Sequence, residues 1–323
     1  MLTKTEVLDR LTICLKLKAR DWTTIRSYCA TAGHFYDFTL GLPRDWTSEQ
    51  KAEAFLTKRA MQDRVSASTQ NHDLAALNAL YESQGRKLGN VNALRAKRPV
   101  YARHCPTREE VVSLLKALHD TPTVPARLIA TILYGTGTRI NETLEVRLKD
   151  VRLAESHFVL RDTKHGHDRV VKIPAILHDP IRRQIEHAKR AFELDQQNPD
   201  CLPLQTPSAV HKKYPRAPFS LGWAFLFPWP RPQRHPETKE LVRWHLPDWT
   251  IQNAFSDSCD KAGLMARITP HCMRHGFGTH FEGDIRDLQA QLGHKSLETT
   301  QGYRHPHIDR IHSPLEKLEC LVA

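Results

Sequence analysis

Residues 269–303 read TPHCMRHGFGTHFEGDIRDLQAQLGHKSLETTQGY, and this stretch decides what kind of chain it is. It sets His271, Arg274, His294 and Tyr303 in one helical segment. Thr269-Pro270 marks the start, because proline is favoured at a first helical position whose N–H has no partner anyway. The order suits attack on a phosphodiester. Arginine stays cationic at any working pH, and its planar fork matches two phosphate oxygens. Histidine moves protons near neutrality. A tyrosine hydroxyl, with an ordinary pKa of about 10, becomes a nucleophile only beside groups that take its proton or stabilise its anion. Tyr303 follows His294 by nine residues and is the candidate nucleophile.

A second arginine of this kind lies in YGTGTRINETLEV, residues 134–146. An apolar helix over Leu128, Ile129, Ile132 and Leu133 runs into Gly135-Thr136-Gly137, a turn that presents Arg139. HFVLRD and DRVVKIP, which follow, predict a β-hairpin from their alternation and β-branched residues. Its loop is Thr163-Lys164-His165-Gly166-His167. A lysine at a hairpin tip is ordinarily just surface, and a lone H-x-x-R string is weak evidence. The ordered set is what carries the specificity.

Gly137-Thr-Arg-Ile-Asn-Glu142, His271-Cys-Met-Arg-His275 and Leu292-Gly-His294 resemble the strings of the tyrosine recombinases, or phage-integrase-type recombinases. Those are a G-x-R-x-x-E box, H-x-x-R-H, and L-G-H followed by the nucleophile. The resemblance implies a catalytic set of Arg139, Lys164, His271, Arg274, His294 and Tyr303. In it the arginines hold the phosphate, His271 accepts a proton, His294 donates a hydrogen bond, and Tyr303 forms a 3′-phosphotyrosyl link. Lys164 takes the place of the family's general-acid lysine in G-K-G-x-K-x-R, with Thr163 and His165 where that pattern has glycines. Glu142 orients the neighbouring cations. No cofactor and no metal are implied. Only Phe281, Glu282 and Gly283 separate His280 from Asp284, about three residues fewer than in relatives, so the path from Arg274 to His294 has to be rebuilt.

Composition agrees with a polyanionic partner. The net charge is +11 over 323 residues, which favours DNA and makes binding salt-sensitive. Seven cysteines at 14, 29, 105, 201, 259, 272 and 320 form no C-x-x-C pair, as expected for reduced thiols in a cytosol. The histidines do not fall at zinc-finger spacing. No apolar run reaches the ~20 residues of a membrane span, and the amphipathic N-terminus lacks a signal peptide's apolar centre. The expected location is cytoplasmic, bacterial and nucleoid-associated.

The expected fold is mainly α with a small antiparallel β-sheet. Residues 1–98 read as a SAM-like DNA-binding domain of four or five helices, from capping boxes at Thr3-x-x-Glu6 and Thr47-x-x-Gln50 and apolar residues at helical spacing. Residues 99–106 read as a linker, and 107–323 as the catalytic domain, opened by a third box at Thr107-x-x-Glu110. Within it, residues 199–249 hold ten of the 20 prolines and four of the six tryptophans. Such a run excludes a long helix and mixes basic groups with aromatic faces, as in proteins that grip unstacked bases. KYPRA, the aromatic cluster, V-R-x-H and the terminal SPLEKL resemble the additional segment and tail of integron integrases, one branch of the family. That resemblance implies a recombinase that integrates and excises gene cassettes, folded single-stranded hairpin sites as partners beside duplex DNA, and a homotetramer on DNA. Lys212, Lys213, Arg216, Trp223, Trp229, Trp244 and His245 are the DNA-binding candidates, with Phe225 as a further stacking face. A phage- or Xer-type recombinase on duplex sites, a catalytically weakened DNA-binding relative and a metal-dependent nuclease are the competing readings.

Overall fold

The computed structural model describes residues 2–91, 104–161, 168–198, 203–235 and 238–293, and it divides into two units, 1–102 and 103–323.

In the first unit the threonine-led boxes start helices where the sequence predicts. Thr3 accepts from the Glu6 N–H and donates its own N–H to the Glu6 carboxylate at 2.7 Å. Two orphan donors of α1 (Lys4–Leu17) are thereby satisfied at once. Thr47 and Gln50 repeat the device at α3 (Ser48–Met61). Asp21 and Ser66 cap α2 (Trp22–Thr39) and α4 (Ala67–Ser83). Four helices are present among the described residues, where the sequence predicts four or five. They bury Val7, Leu11, Leu15, Ile25, Phe35, Phe55, Leu77 and Leu80 in one core. Asp73, almost wholly buried, is satisfied by Arg59 Nε at 2.9 Å and Thr31 Oγ1 at 3.0 Å. The linker expected over 99–106 lies mostly outside the described residues.

The second unit opens with the third box, at Thr107, and α5 (Arg108–Ala117). Helix α6 (Ala126–Thr136) is buried along its whole length and ends at Gly137, whose φ of 66° is left-handed. A Cβ there would sit 2.4 Å from the Phe277 ring, so conformation and space both demand glycine. Helix α7 (Ile140–Leu144) follows directly. A three-stranded antiparallel sheet comes next, β1 (Val151–Arg152), β2 (His157–Leu160) and β3 (Arg169–Lys172), with Phe158 opposite Val171 and Leu160 opposite Arg169. The hairpin expected from HFVLRD and DRVVKIP is this β2–β3 pair. Helix α8 (His178–Gln197) leads to the proline-rich excursion.

The excursion makes only α9 (Ser208–Lys213), two single 3₁₀ turns and a two-residue hairpin of β4 (Gln233–Arg234) and β5 (Leu241–Val242). Its anchor is the apolar run Ala224-Phe225-Leu226-Phe227, buried throughout. The Leu148 N–H donates to the Ala224 carbonyl, the Leu226 N–H to Val146, and the Leu246 N–H to Phe227, at 2.8–2.9 Å. Phe225 is therefore core and no stacking face, which corrects the sequence expectation.

Helices α10 (Asp248–Lys261), α11 (Pro270–His280) and α12 (Ile285–Leu292) complete the described chain. The single helical segment expected to begin at Thr269 is broken at 281–284. Phe281 leaves the helix with an extended backbone, its ring 5.5 Å from Phe277, and Asp284 recaps the chain by accepting from Arg286 N–H. No helix among the described residues is long and apolar enough to cross a membrane.

Candidate active site

The end of α6 is the point of convergence. A helix C-terminus leaves carbonyls without partners, and here two side chains supply them. Arg274, on α11, donates Nη1 to the Gly137 carbonyl at 2.5 Å and Nη2 to the Leu292 carbonyl at 2.6 Å. Gln291, on α12, donates Nε2 to the Thr136 carbonyl at 3.2 Å. A buried hydroxyl chain stiffens the same turn. Thr136 Oγ1 lies 3.0 Å from Thr138 Oγ1, and Thr138 lies 2.7 Å from Thr143 Oγ1, which donates to the Arg139 carbonyl.

Arg139 stands at the start of α7, three-quarters buried. Its N–H donates to Glu142 Oε2 at 2.8 Å and its Nη1 to Oε1 at 2.6 Å. Arg169 of β3 forks onto both oxygens of the same carboxylate, at 2.9 and 2.7 Å. Burial works against the Glu142 charge, but the Arg169 fork and the Arg139 bonds outweigh it and hold the group down to about 2. Glu142 therefore sets the directions of two guanidiniums.

Arg274 is only 5% exposed. Burial pushes it down to about 10, with Arg139 and Arg169 repelling its charge and Glu142 favouring it. It remains a cation at neutral pH, held by neutral carbonyls. Three guanidiniums, those of Arg139, Arg169 and Arg274, converge on this turn around one carboxylate, Glu142. Such a cluster binds an anion with several oxygens and stabilises negative charge that develops on it.

His271 is exposed in the first turn of α11, with its ring edge-on to His275 at 4.6 Å between centroids. At the other end of α11, His280 Nδ1 is 2.9 Å from the Tyr134 hydroxyl. Burial raises Tyr134 to about 12 and lowers His280, so this tyrosine is a packing group. The chain before His294 is placed by Gly293, whose φ is 66° and whose Cβ position lies 2.9 Å from Arg169 Nη1. Arg139 and Arg274 thus meet at the α6–α7 turn, with His271 one turn before Arg274 on α11, while Lys164, His294 and Tyr303 lie outside the described residues. Sequence reasoning missed Arg169 and Gln291. Arg169 is the final arginine of the G-K-G-x-K-x-R pattern, so a signal for it existed.

The excursion's candidates have different surroundings. Lys212, Lys213 and Arg216 are exposed on α9 and the turn after it. Trp223 is partly buried beneath the Lys149 ammonium, 3.0 Å from the ring centroid. Trp229 packs against the core and edge-on to Trp249. Trp244 is partly buried, tilted toward His235 and His245. His245 is largely enclosed, edge-on to Phe225, and its Nδ1 meets the Leu246 carbonyl at 2.7 Å. Burial lowers its pKa. Arg147 holds the excursion from beneath, donating Nη1 to the Gln205 and Trp223 carbonyls. Gln184 donates to the Leu226 carbonyl, and Arg243 forks onto Asp195.

Comparison with known proteins identifies the family. Residues 106–310 match the phage integrase family, and 8–87 match the phage integrase N-terminal SAM-like domain. An "Integrase/recombinase" of Escherichia coli is 34% identical over 291 residues, covering 87% of this chain and 81% of its own. Tyrosine recombinase XerA of Thermococcus kodakarensis is 28% identical over 324 residues, 98% of this chain and 96% of its own. The fold is shared with a Tn1549 transposon integrase in complex with transposon right end DNA, at a TM-score of 0.59 and 19% identity, covering 98% and 99% of the two chains. It is shared also with a lambda integrase tetramer bound to a Holliday junction, at 0.57 and 17%, covering 94% and 81%. From the family match over both regions and the likeness of its relatives, the chain belongs to the phage integrase family, the tyrosine recombinases, whose members cleave and rejoin DNA.

Proposed function

We propose that this recombinase is an integron-type integrase, which integrates and excises gene cassettes through a 3′-phosphotyrosyl intermediate. Tyr303 attacks the backbone phosphorus and releases a 5′-hydroxyl. Arg139 and Arg274 hold the non-bridging oxygens, His271 accepts the tyrosine proton, Lys164 protonates the leaving oxygen and His294 donates a hydrogen bond to the phosphate. The link to tyrosine conserves the energy of the broken ester, so rejoining requires neither ATP nor metal. The domains are 1–98 for core DNA binding, 99–106 as linker and 107–323 for catalysis. Four protomers act on two duplexes in the bacterial cytoplasm, at the nucleoid.

The observation that carries the chemistry is the convergence of Arg139, Arg169 and Arg274 on the α6–α7 turn, with Arg274 fixed by the Gly137 and Leu292 carbonyls. The relatives bear both integrase and Xer names, so the choice within the family rests on the excursion at 199–249. Its basic α9 and the Trp223, Trp244 and Trp229 rings support a hairpin-reading role beside duplex binding.

Trapping on a nicked recombination site tests the chemistry. The unaltered protein accumulates a covalent adduct because the released fragment diffuses away. Tyr303→Phe, which loses one hydroxyl, gives no adduct and binds DNA with nearly unchanged affinity. An adduct from the Phe variant removes Tyr303 from the role.

A further inference from the structure

We infer that Gln291 is a positioning residue for strand cleavage, fixing the chain that leads to His294 against the turn that carries Arg139. The inference rests on the reading of the site given above and adds a residue to it.

Gln291 is 1% exposed, and a polar side chain so deeply buried is kept only with its hydrogen bonds made. Its carboxamide behaves like a peptide unit. Strand β3 is an edge of its sheet among the described residues. The Lys172 N–H donates to Gln291 Oε1 at 3.3 Å, and Gln291 Nε2 donates back to the Lys172 carbonyl at 3.4 Å. The same Nε2 donates to the Thr136 carbonyl at 3.2 Å. One side chain thus joins α12, the edge of the sheet and the end of α6.

The place of these contacts gives them consequence. Thr136 begins the hydroxyl chain that ends on the Arg139 carbonyl. Lys172 is three residues after Arg169, which forks onto Glu142. Arg274 binds the Leu292 carbonyl, one residue beyond Gln291, and His294 comes two residues later. Arg274 and Gln291 therefore hold the adjacent carbonyls 137 and 136 from two different helices. Arg274 ties α12 to the region of the turn through the Leu292 carbonyl, and Gln291 adds a second polar tie one residue earlier. This matters more in a chain whose α11–α12 connection is only 281–284, because a short link transmits any tilt of α12.

Two variants test the inference on a nicked substrate at saturating protein. Gln291→Met keeps length and apolar contact and loses every bond. Gln291→Glu keeps the acceptor for Lys172 N–H and sets a carboxylate against two carbonyls. The amplitude of adduct formation reports the folded fraction, and the single-turnover rate constant reports alignment. The expected result is a rate constant lowered ~10- to ~100-fold in both variants, as small misplacements cause, with DNA affinity within about twofold. A role in folding alone lowers the amplitude and leaves the rate constant unchanged, and that outcome overturns the inference. No adduct from the unaltered protein overturns the tyrosine reading instead. An adduct from it, with unchanged rate constants in both variants, overturns Gln291 only.

Discussion

Arg274 and Arg147 are both buried, both held by backbone carbonyls, and both pushed down to about 10, first of all by burial. Arg274 gives its two ends to Gly137 and Leu292. Arg147 gives its own to Gln205 and Trp223. Their neighbours separate them. Arg147 lies over the Phe225 ring at 4.0 Å from its centroid and near Trp223 at 5.2 Å, and its next electrostatic partners are the carboxylates Asp150 and Glu145. Its charge is spent on holding the excursion to the core. Arg274 has cations beside it, Arg139 and Arg169, with Glu142 shared among them. In the proposed function that cluster receives the phosphate of the DNA backbone. Under the proposed function, the same side chain in the same kind of cradle is a tie in one region and a receptor in the other, and the sign of the surrounding charge separates the two.

The largest effect that separates the two regions is expected on cleavage. Arg139→Ala and Arg274→Ala each lower the cleavage rate by about 10²–10³, the usual cost of one donor to a developing oxyanion. They differ in stability. Arg139 has one carboxylate partner and is a quarter exposed, so its removal leaves Tm nearly unchanged. Arg274→Ala strands two buried carbonyls and lowers Tm as well. Rate constants from nicked substrates, beside thermal unfolding curves, check both statements. An Arg274→Ala protein that cleaves at the original rate ends its assignment as a receptor.

Arg147→Met comes next and touches the other region. Removing a buried charged donor from its carbonyls costs about 2–4 kcal/mol, a fall in Tm of roughly 5–15 °C for a unit of this size. Cleavage per folded molecule stays unchanged, because no group of the arginine cluster contacts Arg147. A lowered rate constant at full folding would erase the distinction between tie and receptor.

The contrast also explains what the sequence could and could not tell. Capping boxes at Thr3, Thr47 and Thr107 are local, since the partner lies three residues away, and all three form as read. The left-handed stop at Gly137 and the Arg139 that follows are local in the same way. Arg147, Gln291 and the Arg243–Asp195 fork act across 58, 119 and 48 residues. No spacing rule reaches so far, and in the sequence they look like ordinary polar side chains. Phe225 departs from the sequence expectation for a different reason. Aromatic residues near prolines and lysines suggest an open stacking surface. Yet Ala224-Phe225-Leu226-Phe227 is a continuous apolar run, the mark of a strand buried on both sides, and burial is what the structure shows.

The smallest expected effect bears on the excursion itself and divides its aromatic residues by surroundings. Stacking on an unpaired base is worth about 1–3 kcal/mol, or roughly fivefold to over a hundredfold in affinity. Trp244 is partly buried and bordered by His235 and His245, with no cation over its ring among the described contacts. Trp223 carries the Lys149 ammonium at 3.0 Å, and a base that stacks there displaces it. Trp244→Ala is therefore expected to weaken binding of a folded hairpin site by at least fivefold and binding of its perfect duplex by less than twofold. Trp223→Ala follows in the same direction with a smaller ratio, because the lost cation–π contact offsets part of the stacking. His245→Ala behaves differently: its ring is enclosed against Phe225 and bonded to Leu246. Its loss loosens the packing and lowers both affinities together. Gel shifts at fixed salt measure all three ratios. Equal affinity for hairpin and duplex, untouched by the tryptophan changes, defeats the integron reading and leaves a tyrosine recombinase that works on duplex sites, with the arginine cluster unaffected.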